Sequence, residues 1–139
     1  MTLDVTAHQL KRAWIRQRSA ASVLAPTQRT SAALLNFYAA ECGLKAVLVR
    51  QLRVQTIAQV EGYKNHDIRF FMKKLRMSAL HVSDLRPCRT THNPASVVDV
   101  SELHQAWRYG QDLHSDDEAA TIKAIDSLHD WLSTRLGGR

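Results

Sequence analysis

The sequence predicts an all-α domain built as a bundle of four long helices plus a short extra helix. Apolar residues recur with a period of about 3.6 in four separate segments, and good helix formers dominate those segments. No segment indicates a convincing strand. With 139 residues, the chain has the length of one domain, which we take as residues 1–139.

The N-terminal half is predicted to contain two of the long helices. The first covers about residues 3–24 and ends near Pro26, because the residue before a proline avoids the helical conformation. The second has Ser31 as its N-cap and is apolar on most sides, as the central helix of a bundle would be. Residues 51–64 are expected to finish this helix and then turn at Gly62.

A third helix is predicted from Ile68 to about Ser78, with Asn65 or Asp67 as its cap. Residues 79–100 follow as an irregular loop, since prolines, asparagine and several serines and threonines cluster there. Within this loop, Val97–Val100 is expected to be at most a short extended piece that nothing pairs with.

The C-terminal part is predicted to hold the short helix and the fourth long helix. Ser101 caps the short helix, and Gly110 ends it. Ser115 and Glu118 form a capping box for a helix over about 116–136, which a Gly-Gly pair terminates. The buried stripe of that helix is predicted to be Ile122, Ile125, Leu128, Leu132 and Leu136.

Composition and charge narrow the classes of function. We see no signal peptide and no apolar stretch of the roughly 20 residues that span a membrane, so we expect a soluble, cytoplasmic protein without a membrane partner. Neither the two cysteines nor the seven histidines show a metal-binding spacing, so we expect no metal and no cofactor. The net charge of +6 is uneven, with +9 over residues 1–100 and −3 over residues 101–139. A basic body suits a partner with phosphates or an acidic protein surface.

Two charged patterns are candidate functional features. The densest positive patch lies on the predicted third helix, as either an RNA-binding stripe or a solvated face. This basic stripe consists of Arg69, Lys73, Lys74 and Arg76. On the second helix, Glu41 and Lys45 are four residues apart and share a face, so they form either a surface ion pair or a polar pair inside a cleft.

Four motifs in order resemble the HEPN family. They are Phe37–Ala46 (FYAAECGLKA), His66–Ile68 (HDI), Trp107–Gly110 (WRYG) and the capped terminal helix, and together they cover roughly residues 31–136. HEPN proteins are small helical bundles of prokaryotic toxin, antitoxin and phage-defence systems and of RNA processing. The resemblance implies a bundle, a homodimer, an RNA-directed role and a cognate protein partner such as a nucleotidyltransferase.

Catalytic HEPN members carry an arginine and, after four to six intervening residues, a histidine. Arg108 and His114 match this spacing at the expected position, and the pairs Arg76/His81 and Arg86/His92 fit it elsewhere. The resemblance implies that Arg108 stabilises charge on the phosphate and that His114 moves the proton of an RNA 2′-hydroxyl, without a metal.

The same motif leaves alternatives open. Active members usually have a polar residue after the arginine, whereas Tyr109 here is similar to members without nuclease activity. In one unbroken helix, residues six apart lie roughly 9 Å apart along the axis, so Arg108 and His114 need a bend at Gly110 or a two-fold axis between two chains. Otherwise Arg108 pairs with Asp112, and His114 is exposed at a helix junction.

The predicted function is therefore a metal-independent endoribonuclease of a toxin–antitoxin or phage-defence system. The alternative is a non-catalytic HEPN-like module that binds a protein partner or a nucleotide-handling enzyme. The three tryptophans are predicted to be core residues rather than platforms for base stacking. They are Trp14, Trp107 and Trp131.

Overall fold

Three long helices form the frame of the fold. The computed structural model describes residues 4–93 and 95–137 and is 66% helical, with six helices and a small two-stranded sheet, which confirms the all-α class. The long helices are α1 (Ala7–Leu24), α2 (Arg29–Gln51) and α6 (Ser115–Leu136). The short ones are α3 (Ile68–Lys74), α4 (Ala79–Ser83) and α5 (Leu103–Arg108).

The prediction of four long helices is therefore wrong, because the described residues form three. The segment predicted as a helix to Ser78 ends at Lys74, because the backbone of Arg76 has a positive φ of 56°, which a continuing right-handed helix does not allow. Three predicted positions lie outside the described residues: the start of the first helix at residue 3, the loop residue Pro94, and Gly138 of the terminal Gly-Gly pair.

Helix α2 is the centre of the bundle. Eleven of its residues are buried, and by length and composition alone it could cross a membrane. In this fold it is the core helix, packed by α1 and α6 on one side and by α3 and α5 on the other. At Gly43, an added Cβ would lie 2.7 Å from Leu132 Cδ1 and 3.0 Å from Trp14 Cδ1, so α1, α2 and α6 come closest together there.

The predicted tryptophan positions and the stripe of α6 are confirmed. Trp14 and Trp107 are buried, and Trp131 packs against the core while half-buried. On α6, the predicted stripe is buried at four positions and half-buried at Ile122. Gly137 ends this helix in the left-handed conformation, with a φ of 63°.

The three predicted serine caps are wrong. Ser31 lies inside α2, which begins at Arg29 without a side-chain cap. Ser101 lies in a 3₁₀ turn (Val100–Glu102) that precedes α5. Ser115 is the first residue of α6, and Glu118 accepts a hydrogen bond from Trp107 Nε1 at 3.0 Å instead of closing a capping box. These helix starts depend on packing of the apolar face rather than on a local cap.

Two other caps are made by side chains. Asp67 accepts a hydrogen bond from the backbone N–H of Arg69 at 3.0 Å, which confirms it as the N-cap of α3. Thr6 and Gln9 form a capping box at the start of α1, which the sequence analysis missed.

The segment after α2 does not continue that helix. Helix α2 ends at Gln51, Thr56 then bridges back to Thr6, and a 3₁₀ turn follows over Ile57–Gln59. The predicted turn at Gly62 is confirmed: its φ is +80°, and an added Cβ would meet the ring of Phe70 at 2.4 Å.

The predicted loop 79–100 is more ordered than expected. Besides α4, it contains two short antiparallel strands, β1 (Cys88–Arg89) and β2 (Val97–Val98), in the register Cys88↔Val98. The expectation that Val97 has no pairing partner is therefore wrong. Cys88 is buried against α6, where its Sγ lies 3.3 Å from Thr121 Oγ1. The hairpin depends on this tertiary contact. The sequence does not indicate it, because strands of two residues are too short to show an alternating pattern.

Candidate functional site

The predicted pair Glu41–Lys45 is formed, and it is largely buried rather than on an open surface. Lys45 Nζ is 3.6 Å from Glu41 Oε2, and the two side chains are only 15% and 13% exposed. Lys45 Nζ also lies 5.4 Å from the ring centroid of Phe71 in α3. An ion pair with this little solvent contact is screened less than an exposed pair on a helix surface.

His66, just before α3, joins this pair. Its Nδ1 lies 3.4 Å from Glu41 Oε1, while the side chain is 61% exposed. A carboxylate at Nδ1 favours the tautomer with the proton on that nitrogen. The other ring nitrogen, Nε2, is then free to accept a proton.

His104 of α5 is the inner partner of His66. The two ring centroids are 5.1 Å apart, and His104 is stacked on Phe37 at 5.9 Å. It is buried, and its Nδ1 has no hydrogen-bond partner among the residues that the structure describes. Burial, and then the charge of His66, lower the pKa of His104, while Glu41 opposes this shift. His104 is therefore neutral at physiological pH.

We call Glu41, Lys45, His66 and His104 the histidine cluster. It joins α2, the segment before α3, and α5. Of these four residues, only Glu41 and Lys45 are predicted as functional residues from the sequence. His66 is indicated only as part of a motif and His104 not at all, because the two histidines are far apart in sequence and nothing local indicates their contact.

Arg108, the predicted phosphate-binding residue, is one helical turn beyond His104. Residues four apart share a helix face, and the positive charge of Arg108 contributes to the lowered pKa of His104. Its guanidinium carbon lies 5.8 Å from the ring centroid of Tyr109, which is 76% exposed. The alternative ion pair with Asp112 is not formed in the described part of the chain. The guanidinium is thus free of a carboxylate partner at the edge of the histidine cluster.

His114, the predicted proton-transfer residue, lies in different surroundings. It is the residue before α6, its Nδ1 lies 3.4 Å from Arg89 Nη2, and its backbone N–H donates to the Arg89 carbonyl at 2.8 Å. Arg89 in turn pairs with Asp117 at 2.9 Å and lowers the pKa of that carboxyl to about 2. Within residues 4–93 and 95–137, no hydrogen bond or ring contact joins His114 to Arg108. Gly110, with a φ of +75°, turns the chain between them.

The predicted basic stripe is not uniform. Arg69 is half-buried and binds Asp67 at 2.7 Å and Asp99 at 3.2 Å, so its charge is neutralised within the fold. Lys74 Nζ lies 5.1 Å from the ring centroid of Phe70. Lys73 and Arg76 are exposed. The last three residues therefore remain available to a phosphate, whereas Arg69 holds the start of α3 to the turn before α5.

The two cysteine thiols and the possible metal ligands are the remaining reactive groups to consider. Burial raises the pKa of Cys42 to about 11 and also raises that of Cys88, so neither is a thiolate at neutral pH. Among the residues that the structure describes, no group of three or more His, Cys, Asp or Glu side chains could hold a metal ion.

Comparisons with family models, with curated proteins and with solved structures find no match to this chain. The family resemblance therefore depends on the motifs alone. Two of the four motifs are in direct contact, and the third lies one helical turn beyond His104. The first supplies Glu41 and Lys45, the second supplies His66, and the third supplies Arg108.

Proposed function

We propose that this is a HEPN-like protein that acts on RNA as a metal-independent endoribonuclease, with the histidine cluster and Arg108 as its site. The observation that carries the proposal is His66, an exposed imidazole held by Glu41 and packed against His104. The exposed guanidinium of Arg108 lies one helical turn beyond His104 and has no carboxylate partner among the described residues. A proton acceptor and a fork-shaped cation are the two groups that RNA cleavage by its own 2′-hydroxyl requires.

The proposed chemistry assigns one task to each group. His66 Nε2 takes the proton of a 2′-hydroxyl, and the 2′-oxygen attacks the adjacent phosphorus. The bond from phosphorus to the 5′-oxygen breaks, and that oxygen takes the proton back from His66. The products are a 2′,3′-cyclic phosphate and a 5′-hydroxyl. Arg108 stabilises the charge on the non-bridging oxygens through its planar fork.

The remaining members of the cluster are positioning residues. Glu41 fixes the ring of His66, and Lys45 compensates the charge of the Glu41 carboxylate at 3.6 Å. His104 packs against His66 as a neutral ring, so that no second positive charge stands beside the imidazole during proton transfer.

We also propose a two-fold homodimer with Arg108 near its interface, as the resemblance implies. In that arrangement His114 of the second copy supplies the proton-transfer group in place of His66. Mixing Arg108→Ala protein with His114→Ala protein separates the two arrangements. If the site is shared between chains, mixed dimers regain cleavage activity. If the site lies within one chain, the His114→Ala protein is as active as the wild type.

The test is incubation of the purified protein with total RNA in EDTA, followed by analysis of the product ends. We expect cleavage that leaves 2′,3′-cyclic phosphates. His66→Ala and Arg108→Ala should each lower the rate by about 100-fold or more, and Arg108→Lys should fail as well because lysine lacks the fork. His92→Ala is the matched control, since His92 is an exposed histidine that is not a member of the cluster. Equal losses in the His66 and His92 variants would contradict the proposed site.

The second candidate function is a non-catalytic module that binds a protein such as a nucleotidyltransferase. The exposed aromatic ring of Tyr109, with Val97 as a further exposed apolar side chain, favours it, because aromatic residues are enriched in protein interfaces. Intact RNA in every metal and pH condition, together with a co-purified nucleotidyltransferase that Tyr109→Ala releases, would establish this function instead.

A further inference from the structure

Helix α1 has an unusual charge pattern that the site does not use. It carries four lysines and arginines and no aspartate or glutamate. The surrounding stretch, residues 5–40, contains no acidic residue either. A helix on a globular surface ordinarily mixes both signs of charge, so the positive potential of this face is not cancelled by its own residues.

Arg12 and Arg16 lie on the outer face of this helix. They are four residues apart, about 6 Å along the axis, and both are exposed, whereas Leu10 and Trp14 are buried on the opposite face. Neither arginine makes an ion pair with any carboxylate that the structure describes. They thereby differ from Arg69, whose charge is neutralised by Asp67 and Asp99.

A shallow groove runs along this face and borders α2. Its lining residues are Gln9, Arg12, Ala13, Arg16 and Gln17. Gln17 Oε1 lies 4.0 Å from Cys42 Sγ, and Cys42 is the residue after Glu41. The edge of the groove is therefore in contact with the segment of α2 that carries the site.

We propose that Arg12 and Arg16, with Gln9 and Gln17 beside them, bind the phosphate backbone of a single-stranded RNA. This inference rests on the proposed function and names the form of its substrate. Two guanidinium forks match phosphate oxygens, and side-chain amides add hydrogen bonds to phosphate and sugar. A single basic groove of this kind follows one strand.

The experiment measures binding and cleavage with the full chain. The probe is a single-stranded oligoribonucleotide longer than about 16 nucleotides, titrated at several salt concentrations in EDTA. The variant Arg12→Glu/Arg16→Glu is compared with Arg86→Glu/Lys123→Glu, which makes the same charge change at two exposed positions outside this face. Circular dichroism and thermal melting check that both variants are folded, and Arg12→Gln/Arg16→Gln repeats the test without adding negative charge.

Each single-strand phosphate contact contributes about 0.7 to the slope of log K against log salt, or about fivefold in affinity at 0.1 M salt. The Arg12/Arg16 variants should therefore lose about 1.4 in slope and about 25-fold in affinity, and the control variant should lose far less. Cleavage of a dinucleoside monophosphate, which has a single phosphate, should be unchanged in all of these variants.

Three results would overturn the inference. One is equal weakening by the Arg12/Arg16 and Arg86/Lys123 variants, and another is unchanged affinity in both. The third is that the Arg12/Arg16 variants bind phosphatidylserine vesicles more weakly than the wild type does but bind RNA equally well. Failure of the proposed function gives a different result, because the wild type then cleaves neither the oligoribonucleotide nor the dinucleoside monophosphate. The comparison of RNA affinities between the variants still tests whether α1 binds RNA.

Discussion

Acidification is expected to destabilise this protein chiefly through His129 of α6, with a smaller contribution from His104. The ring of His129 is fully buried, and both nitrogens have partners. Nδ1 accepts a hydrogen bond from Trp14 Nε1 at 3.1 Å, and Nε2 donates to the Asn36 carbonyl at 2.9 Å. This pattern requires the neutral ring, because protonation of Nδ1 would leave two donors facing each other.

The size of the effect follows from the pKa shift. Burial lowers the pKa of His129 from 6.5 to about 4, so the unfolded chain takes up this proton at a higher pH than the folded protein. The stabilisation is complete above pH 6.5 and is lost as the pH falls to about 4. At 1.36 kcal/mol per pKa unit, the total is about 3 kcal/mol.

The assay is urea denaturation followed by tryptophan fluorescence, repeated at several pH values in this window. His129→Leu removes the titrating group, so its free energy of unfolding should start lower, because Trp14 and Asn36 lose a partner, and should then change less with pH. His92→Leu is the control, since an exposed histidine should leave the pH dependence as in the wild type. This window lies above the range in which Asp99 and Asp117 titrate, since the pKa of each is lowered from 3.8.

Two results would refute this reasoning. One is an unchanged pH dependence in His129→Leu. The other needs no variant: a titration by nuclear magnetic resonance in which His129 of the folded protein protonates near its usual pKa of 6.5.

The remaining predictions concern packing and ion pairing. Gly43→Ala should destabilise the protein by about 1–3 kcal/mol, because the new Cβ would lie 2.7 Å from Leu132 Cδ1. Thermal melting checks this, and a raised melting temperature, as expected from the helix propensity of alanine alone, would contradict it. Arg69→Ala should lower stability by about 1 kcal/mol, since it removes a half-buried ion pair with the cap residue Asp67. The exposed Lys73→Ala is its control, and equal melting temperatures for the two variants would show that Arg69 is not structural.

Much of the bundle could be predicted from the sequence because its long helices are determined locally. The period of apolar residues indicates the buried stripe of α6 and the central role of α2, and Gly62, Gly110 and Gly137 mark turns where a positive φ is needed. The pair Glu41–Lys45 is predictable for the same reason, since residues four apart in one helix must be neighbours. The sequence left open whether this pair is exposed or buried, because its burial depends on contact with α3.

The tertiary structure alone decided which chemical groups meet. His66 and His104 come together because α3 and α5 both pack on α2, and no local pattern links two residues so far apart in sequence. The same packing gives Arg69 its two carboxylates, Asp67 and Asp99, and gives Cys88 its place against α6. Short elements and side-chain clusters gain little free energy from their own sequence, so their conformation follows from long-range contacts. Local sequence determined the helical frame, and the packing of that frame determined the candidate site.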